Sequence, residues 1–262
     1  MDIQKTLFDS LFLLPSLRHD AARLNISGLD GWVSPHVSPY ANRCRFVSGA
    51  GHVDSMKKCI QFFFQRSQGL TWVIGDEEYR DGTYDILKSA GFVENRFSLL
   101  DGMAIDLSHF DVSPTDPIDL IDIIRISNEE VALNAAMIAR FYGYDSDEVA
   151  KFYWTTSIQT IDTSVRVYCL RDKESGYPIG YAKSVFMHKF GVVIMSGVCI
   201  APEERGKGLH RRLTEYRLLD ARRHNATTAV VQADTKGSAY LYRNMGFRRI
   251  CGVRFLEWLA PS

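Results

Sequence analysis

The chain has 262 residues, 46% of them hydrophobic, with 31 basic residues against 31 acidic ones; that supports one large or two small domains with a proper core. The missing basic excess argues against nucleic acid or an anionic membrane as the main partner. Five cysteines, an odd number without a Cys-x-x-Cys pair, point to reduced thiols in a cytoplasmic setting and to no metal site, and no apolar run is long enough to span a bilayer.

At the amino terminus Leu7, Phe8 and Leu11 to Leu14 are apolar, but Asp2, Lys5 and Asp9 interrupt the run and Pro15 ends it. This pattern predicts an amphipathic first helix and not a signal peptide. A helix from Val53 to about Gln68 leads to the strand Leu70 to Ile74, with Gly75-Asp76 turning out of it. A helix around Tyr84 to Ala90 stops at Gly91-Phe92, and extended chain follows through Met103 and Leu107. Asp111 to Pro117, with two prolines among small polar residues, is the expected linker.

Beyond it, Asp119 to Ile126 is the opening strand of the back half, and Ser127 with Glu130 forms a capping box. Helices are expected at Asn128 to Tyr142 and at Ser146 to Ser157. Strands at Val165 to Leu170, Ile179 to Met187 and Gly191 to Ile200 are joined by hairpin-like turns. A helix from about Lys207 to Arg223 follows, burying Leu209, Leu213, Tyr216 and Leu219. Arg211, Arg212, Arg217, Arg222 and Arg223 are left for its wetter face. The strand Thr228 to Gln232 and a helix from Gly237 to Met245 end at Gly246-Phe247.

The order helix, strand, helix, Gly-Phe, strand thus occurs twice. Aligning the two Gly-Phe pairs sets Leu87 where Tyr242 stands. The back half alone carries Arg205-Gly206-Lys207-Gly208-Leu209, at the handover from strand to helix. Unpaired N–H groups at such a junction make an anion site, and the glycines let a diphosphate approach the backbone. The nearest glycine cluster in front, Gly49-Ala50-Gly51, has no basic residues. A Walker loop would need Ser or Thr after Lys207, where Gly208 stands. A dinucleotide fingerprint would need a third glycine where Arg211 stands.

The run Val198-Cys199-Ile200-Ala201-Pro202-Glu203-Glu204-Arg205-Gly206-Lys207-Gly208-Leu209-His210 resembles the acyl-CoA loop of the GNAT superfamily of N-acyltransferases. It follows the pattern Arg/Gln-x-x-Gly-x-Gly/Ala, with His210 in place of a final small residue. Gly237 to Phe247 resembles the Leu-Tyr-x-x-x-Gly-Phe segment of the same superfamily. The resemblance implies an α/β fold, a mixed and largely antiparallel sheet flanked by helices, in two tandem GNAT-like halves. Residues 1–112 would be a degenerate half and 119–262 the catalytic one.

The resemblance also implies acetyl-CoA as acyl donor, with no metal, and a small-molecule or peptide amine as acceptor. No nucleic-acid or membrane partner and a monomer or homodimer are expected. Val198, Cys199 and Ile200 would pair with the pantetheine amides, and Arg205, Gly206, Lys207, Gly208, Leu209 and His210 would hold the diphosphate. Some of the aromatics Phe141, Tyr142, Tyr144, Phe152, Tyr153 and Trp154 would line the acceptor side, the others being core.

Acyl transfer requires a neutral amine, which attacks the thioester directly. The N–H of Cys199 or Ile200 would stabilise the oxyanion. Tyr242 would protonate the leaving thiolate. No Asp or Glu lies between Val185 and Ile200, so Asp234 is the candidate base, ahead of His188 and Glu148; helix capping is its competing role. A thiol nucleophile at Cys199 has no His nearby in sequence. A non-catalytic acyl-CoA sensor and a protein amine acetyltransferase are the alternatives.

Overall fold

The apolar stretch at the amino terminus folds as helix α1 (Ile3–Ser10), whose first turn is closed by the Asp2 carboxylate accepting the Lys5 N–H at 3.0 Å. The computed structural model describes residues 2–13, 17–47, 53–108, 110, 121–144, 146–155 and 163–260, without the side chains of 95–98. The expected linker, Asp111 to Pro117, and the Gly49 to Gly51 cluster lie outside the described residues. The chain divides into two compact units, one built from 2–103, 232–245 and 249–262, the other from 104–231 and 246–248. Among the described residues no helix is long and apolar enough to cross a membrane.

In the first unit, β1 (Ala22–Arg23), β2 (Leu29–Val33) and β3 (Arg43–Phe46) are antiparallel neighbours, and β3 runs parallel to β4 (Leu70–Gly75). Every residue of β4 is buried, as its largely apolar run requires, and the one hydroxyl, on Thr71, donates to the Pro39 carbonyl at 2.8 Å. Helix α2 (Val53–Phe64) lays Met56, Cys59 and Phe63 onto Trp72, Ile74, Leu87 and Phe92. Where the sequence suggested only a turn, a short helix α3 (Asp76–Arg80) forms, because the Glu78 carboxylate reaches back to the Gly75 N–H at 2.9 Å. Helix α4 (Thr83–Ser89) ends as expected. Gly91 takes φ 89°, and Phe92 donates its N–H to the Leu87 carbonyl at 3.1 Å. Strand β5 (Val93–Asp106) follows.

The chain's final strand also belongs here. β12 (Arg248–Trp258) lies antiparallel to β4, from Leu70 opposite Trp258 to Gly75 opposite Val253. Helix α9 (Ser238–Asn244) is tied to β5 and β12 through Asp101, which is only 4% exposed. Its carboxylate accepts from Arg243 and from Arg249 Nε at 2.8 Å, and Arg249 also reaches Asp76 at 3.3 Å. Removing the buried member of such a group takes its carboxylate from Arg243 and leaves Arg249 with Asp76 alone. Asp101→Ala should therefore cost about 2 kcal/mol, the half-exposed arginines limiting the loss. A Tm in calorimetry lower by roughly 4–8 °C is expected; an unchanged Tm would remove the cluster as a brace.

In the second unit β6 (Ile121–Ile126), β7 (Thr163–Asp172) and β8 (Pro178–Met187) form an antiparallel run. β9 (Val192–Ile194) is antiparallel to β8 and parallel to β11 (Thr228–Asp234), while β10 (Val198–Ile200) pairs with β8. The expected helix from Asn128 is two, α5 (Asn128–Leu133) and α6 (Ala135–Tyr142). The break falls at Asn134, whose side-chain amide bonds the Glu130 carbonyl at 2.6 Å and competes with the helical ladder. The Ser127/Glu130 capping box forms at 3.2 and 2.8 Å. Helix α7 (Asp147–Trp154) begins at Ser146, which caps Val149.

Helix α8 (Leu209–Arg223) corrects the sequence-based helical face. Leu209, Leu213, Leu218 and Ala221 are buried, and Tyr216 and Leu219 only partly so. Arg217, assigned by spacing to the wet face, is 0% exposed.

Candidate acyl-CoA site

The chain enters the glycine loop from β10, and β10 is set apart from β9 by an irregularity that decides which way its peptide groups point. Between the pairs Val185–Ile194 and Ala182–Val198, β8 contributes Lys183 and Ser184, while the facing strand contributes Met195, Ser196 and Gly197. One extra residue makes a β-bulge, which bends and twists the strand that carries it. Gly197 is required there. Its φ is 74°, and a Cβ would sit 3.1 Å from the Trp154 ring.

Beyond the bulge, Lys183 donates its N–H to the Gly197 carbonyl at 3.0 Å, and Ala201 donates to Ile179 at 2.9 Å. Antiparallel partners exchange hydrogen bonds at alternate residues. Gly197, Cys199 and Ala201 therefore turn their peptides to β8, and Val198 and Ile200 turn theirs to the opposite edge. Among the described residues β10 pairs as a strand with β8 alone. The Cys199 side chain is buried, and that burial pushes its thiol far above the ordinary range. A thiolate nucleophile is not available there.

The loop itself follows a single turn over Pro202–Glu204. Gly206 and Gly208 take φ 80° and 76°, left-handed values that a side chain would strain, and nothing lies within 4 Å of a Cβ at either. Gly208 is the N-cap of α8, so the first N–H groups of a 15-residue helix open beside the loop. Arg205 turns back into the protein. Its guanidinium donates to the Ile200 carbonyl at 3.2 Å and the Phe141 carbonyl at 2.9 Å, fixing the loop to β10 and α6. Lys207, more than half exposed, pairs with Glu204 at 2.8 Å.

His210 is partly buried on the first turn of α8. Burial, with the Arg217 guanidinium nearby, presses its pKa down to about 4, so at neutral pH the imidazole carries no charge. The folded pKa lies below the unfolded value of about 6.5. The unfolded chain thus binds a proton first as pH falls, and stability present above about 6.5 is lost toward pH 4, by up to about 1.4 kcal/mol per unit. Urea melts at several pH values should show a flatter profile for His210→Gln. Parallel profiles would exclude the imidazole as the titrating group.

Of the aromatics placed on the acceptor side, Phe141, Phe152 and Trp154 are core. Tyr142, Tyr144 and Tyr153 are half-buried and stacked, with ring centroids 4.4 and 5.9 Å apart. His188 sits in the turn before β9, 2.8 Å from Ser164 Oγ, with all of β9 between it and β10. Glu148 is exposed on the first turn of α7.

Tyr242 and Asp234 belong to the other compact unit. Tyr242 is 2% exposed on α9, four residues before Gly246 at φ 92°. Leu87, 0% exposed, stands four residues before Gly91. The Asp234 carboxylate accepts the Lys236 N–H at 3.0 Å, and its own N–H donates to Ser238 Oγ at 3.1 Å, in the turn that opens α9. Those hydrogen bonds shape the turn before α9 and leave its N-cap, Gly237, without a side-chain acceptor, so the Asp234 carboxylate does not cap the helix. Among the described residues no group of His, Cys, Asp and Glu is arranged to hold a metal ion.

Residues 131–247 match the sequence model of the Acetyltransferase (GNAT) family. They are a GNAT acetyltransferase domain.

Solved structures extend the likeness in fold to the whole chain. A GCN5-related N-acetyltransferase from Kribbella flavida is 16% identical with a TM-score of 0.69, covering 100% of this chain and 96% of its own. A functionally unknown protein from Staphylococcus epidermidis gives 0.67 at 13% identity, covering 95% and 98%. A tandem GNAT protein from the clavulanic acid biosynthesis pathway gives 0.61 at 12% identity, covering 99% and 95%. A search of curated sequences finds no match. The mixed, largely antiparallel sheet flanked by helices is the expected GNAT architecture, with a tandem GNAT protein among the similar folds.

Two features of the GNAT domain escaped the sequence reading: the bulge before β10 and the burial of Arg217. The bulge left one mark, an isolated Gly197 within an apolar strand.

Proposed function

We propose that the back half, residues 119–262, transfers an acetyl group from acetyl-CoA to a primary amine by direct attack. The observation that carries this reading is the edge of β10. Val198 and Ile200 turn peptide groups away from β8, and the same strand runs directly into Gly206, Gly208 and the N-terminus of α8. A pantetheine arm adds to such an edge as an extra strand does, while the loop and helix end receive the diphosphate. Of the two N–H groups considered for the oxyanion, that of Cys199 faces β8, which favours Ile200. Tyr242 takes the role of acid toward the thiolate. Asp234 remains the candidate base, since a carboxylate that accepts the Lys236 N–H can accept further donors. The front half, with Leu87 in place of a phenol, contributes no acid.

A thermal-shift titration with acetyl-CoA and CoA, against ATP and NAD, tests the donor. At about 100 times Kd, a ligand of the folded state adds about 2.7 kcal/mol. Stabilisation by the CoA compounds alone supports the reading, and stabilisation by none of the four defeats it. Thiol release in the presence of amines then separates an enzyme from a sensor, which would release no thiol with any acceptor. Preference for lysine or N-terminal peptides over free amines would mark a protein-modifying enzyme.

A further inference from the structure

Arg217 lies on α8, nine residues past the N-cap Gly208, and its side chain is wholly buried. Guanidinium stays ionised in proteins, so burying it is costly unless its donors meet acceptors. A leucine would have filled a helix face against a sheet at no such cost. The acceptors that Arg217 meets are specific. Its Nε donates to Ser184 Oγ at 3.1 Å, and a terminal nitrogen donates to the Lys183 carbonyl.

Lys183 and Ser184 are the two β8 residues opposite the bulged Met195, Ser196 and Gly197. The guanidinium therefore supplies donors to β8 where the regular ladder is interrupted. The other face of the same place is held too. The Lys183 ammonium donates to the Tyr153 carbonyl at the end of α7 and stands 6.0 Å from the Trp154 ring, which covers Gly197.

We propose that Arg217 is a positioning residue that pins α8 to β8 at the bulge and so fixes the edge of β10 relative to the glycine loop. Through it, the strand that receives the pantetheine arm and the helix end that receives the diphosphate keep one spacing. This inference rests on the acyl-CoA reading of the site.

The test compares two ligands on the full-length protein. Adenosine 3′-phosphate 5′-diphosphate carries the diphosphate without the pantetheine arm, whereas acetyl-CoA must satisfy the loop and the β10 edge together. Isothermal titration of Arg217→Met should show acetyl-CoA bound about tenfold or more weakly, with the nucleotide within about twofold of the native affinity. Arg217→Lys, which keeps the charge and can reach one acceptor, should fall between. A merely structural role would weaken both ligands alike or lower Tm with affinities unchanged, and either result overturns the proposal. Should Arg217→Met give no cooperative melt, Ser184→Ala removes one acceptor instead. It should reproduce the selective loss at about threefold, and an equal loss of both ligands would again overturn it. Native protein that binds neither ligand defeats the acyl-CoA reading itself; native binding with indifferent variants defeats only the role of Arg217.

Discussion

Gly208→Glu is expected to weaken acetyl-CoA binding by about a hundredfold or more, close to 3 kcal/mol, while leaving the protein folded. Two effects must be separated. Any side chain at φ 76° is strained by roughly 1–2 kcal/mol, and Gly208→Ala carries that strain without a charge. Open space around the position means that the carboxylate itself meets no wall. At the N-cap of α8 it even gains from the helix dipole, so the Glu variant should melt no lower than the Ala variant. Toward a diphosphate the sign reverses, because like charges about 4 Å apart near a surface repel by about 4 kcal/mol. Calorimetric titration of native, Ala and Glu proteins decides the matter. Acetyl-CoA affinity in the Glu variant within tenfold of the Ala variant would show that the diphosphate lies elsewhere.

Tyr242→Phe should lower kcat by about a hundredfold, the lower end of what general acid catalysis contributes, with acetyl-CoA affinity held within about twofold. The substitution removes one hydroxyl and keeps the ring, which matters for a side chain so fully buried on α9. A phenol serving only the core would behave differently. Its loss would cost about 1 kcal/mol of stability through a hydrogen bond and leave turnover per folded molecule unchanged. Steady-state rates normalised to folded protein, measured beside the melt, distinguish the two. An unaltered kcat removes Tyr242 as the proton donor.

Local signals were legible wherever one segment decides its own structure. The capping box at Ser127, the helix stops at Gly91 and Gly246, and the glycine loop at the head of α8 all depend on residues adjacent in sequence. Periodicity placed α8 but misjudged part of its inner surface. Tyr216 and Arg217 are neighbours on the helix, and an apolar pattern assigns the tyrosine inward. The acceptors that draw the guanidinium in belong to β8, far off in sequence. Asn134 divides the predicted long helix for a reason that composition does not display, a side-chain hydrogen bond to its own turn. The edge of β10 was similarly hidden. Which peptides face it follows from a one-residue register change against β8, and strand patterns carry no register.

The return of β12 to β4 governs the order in which the molecule can be assembled. A ribosome releases the amino-terminal residues first, and domains generally fold as they emerge. Here β4 lacks its β12 partner until residues Val253 to Trp258, far later in the chain, have left the exit tunnel. Until then a strand made mostly of apolar residues carries unpaired backbone groups along one edge, the kind of template on which other chains pair. Residues that precede β12 by nearly two hundred positions, β4 among them, thus wait for it to complete their sheet, and cutting the chain between β4 and β12 would deprive the earlier fragment of that strand.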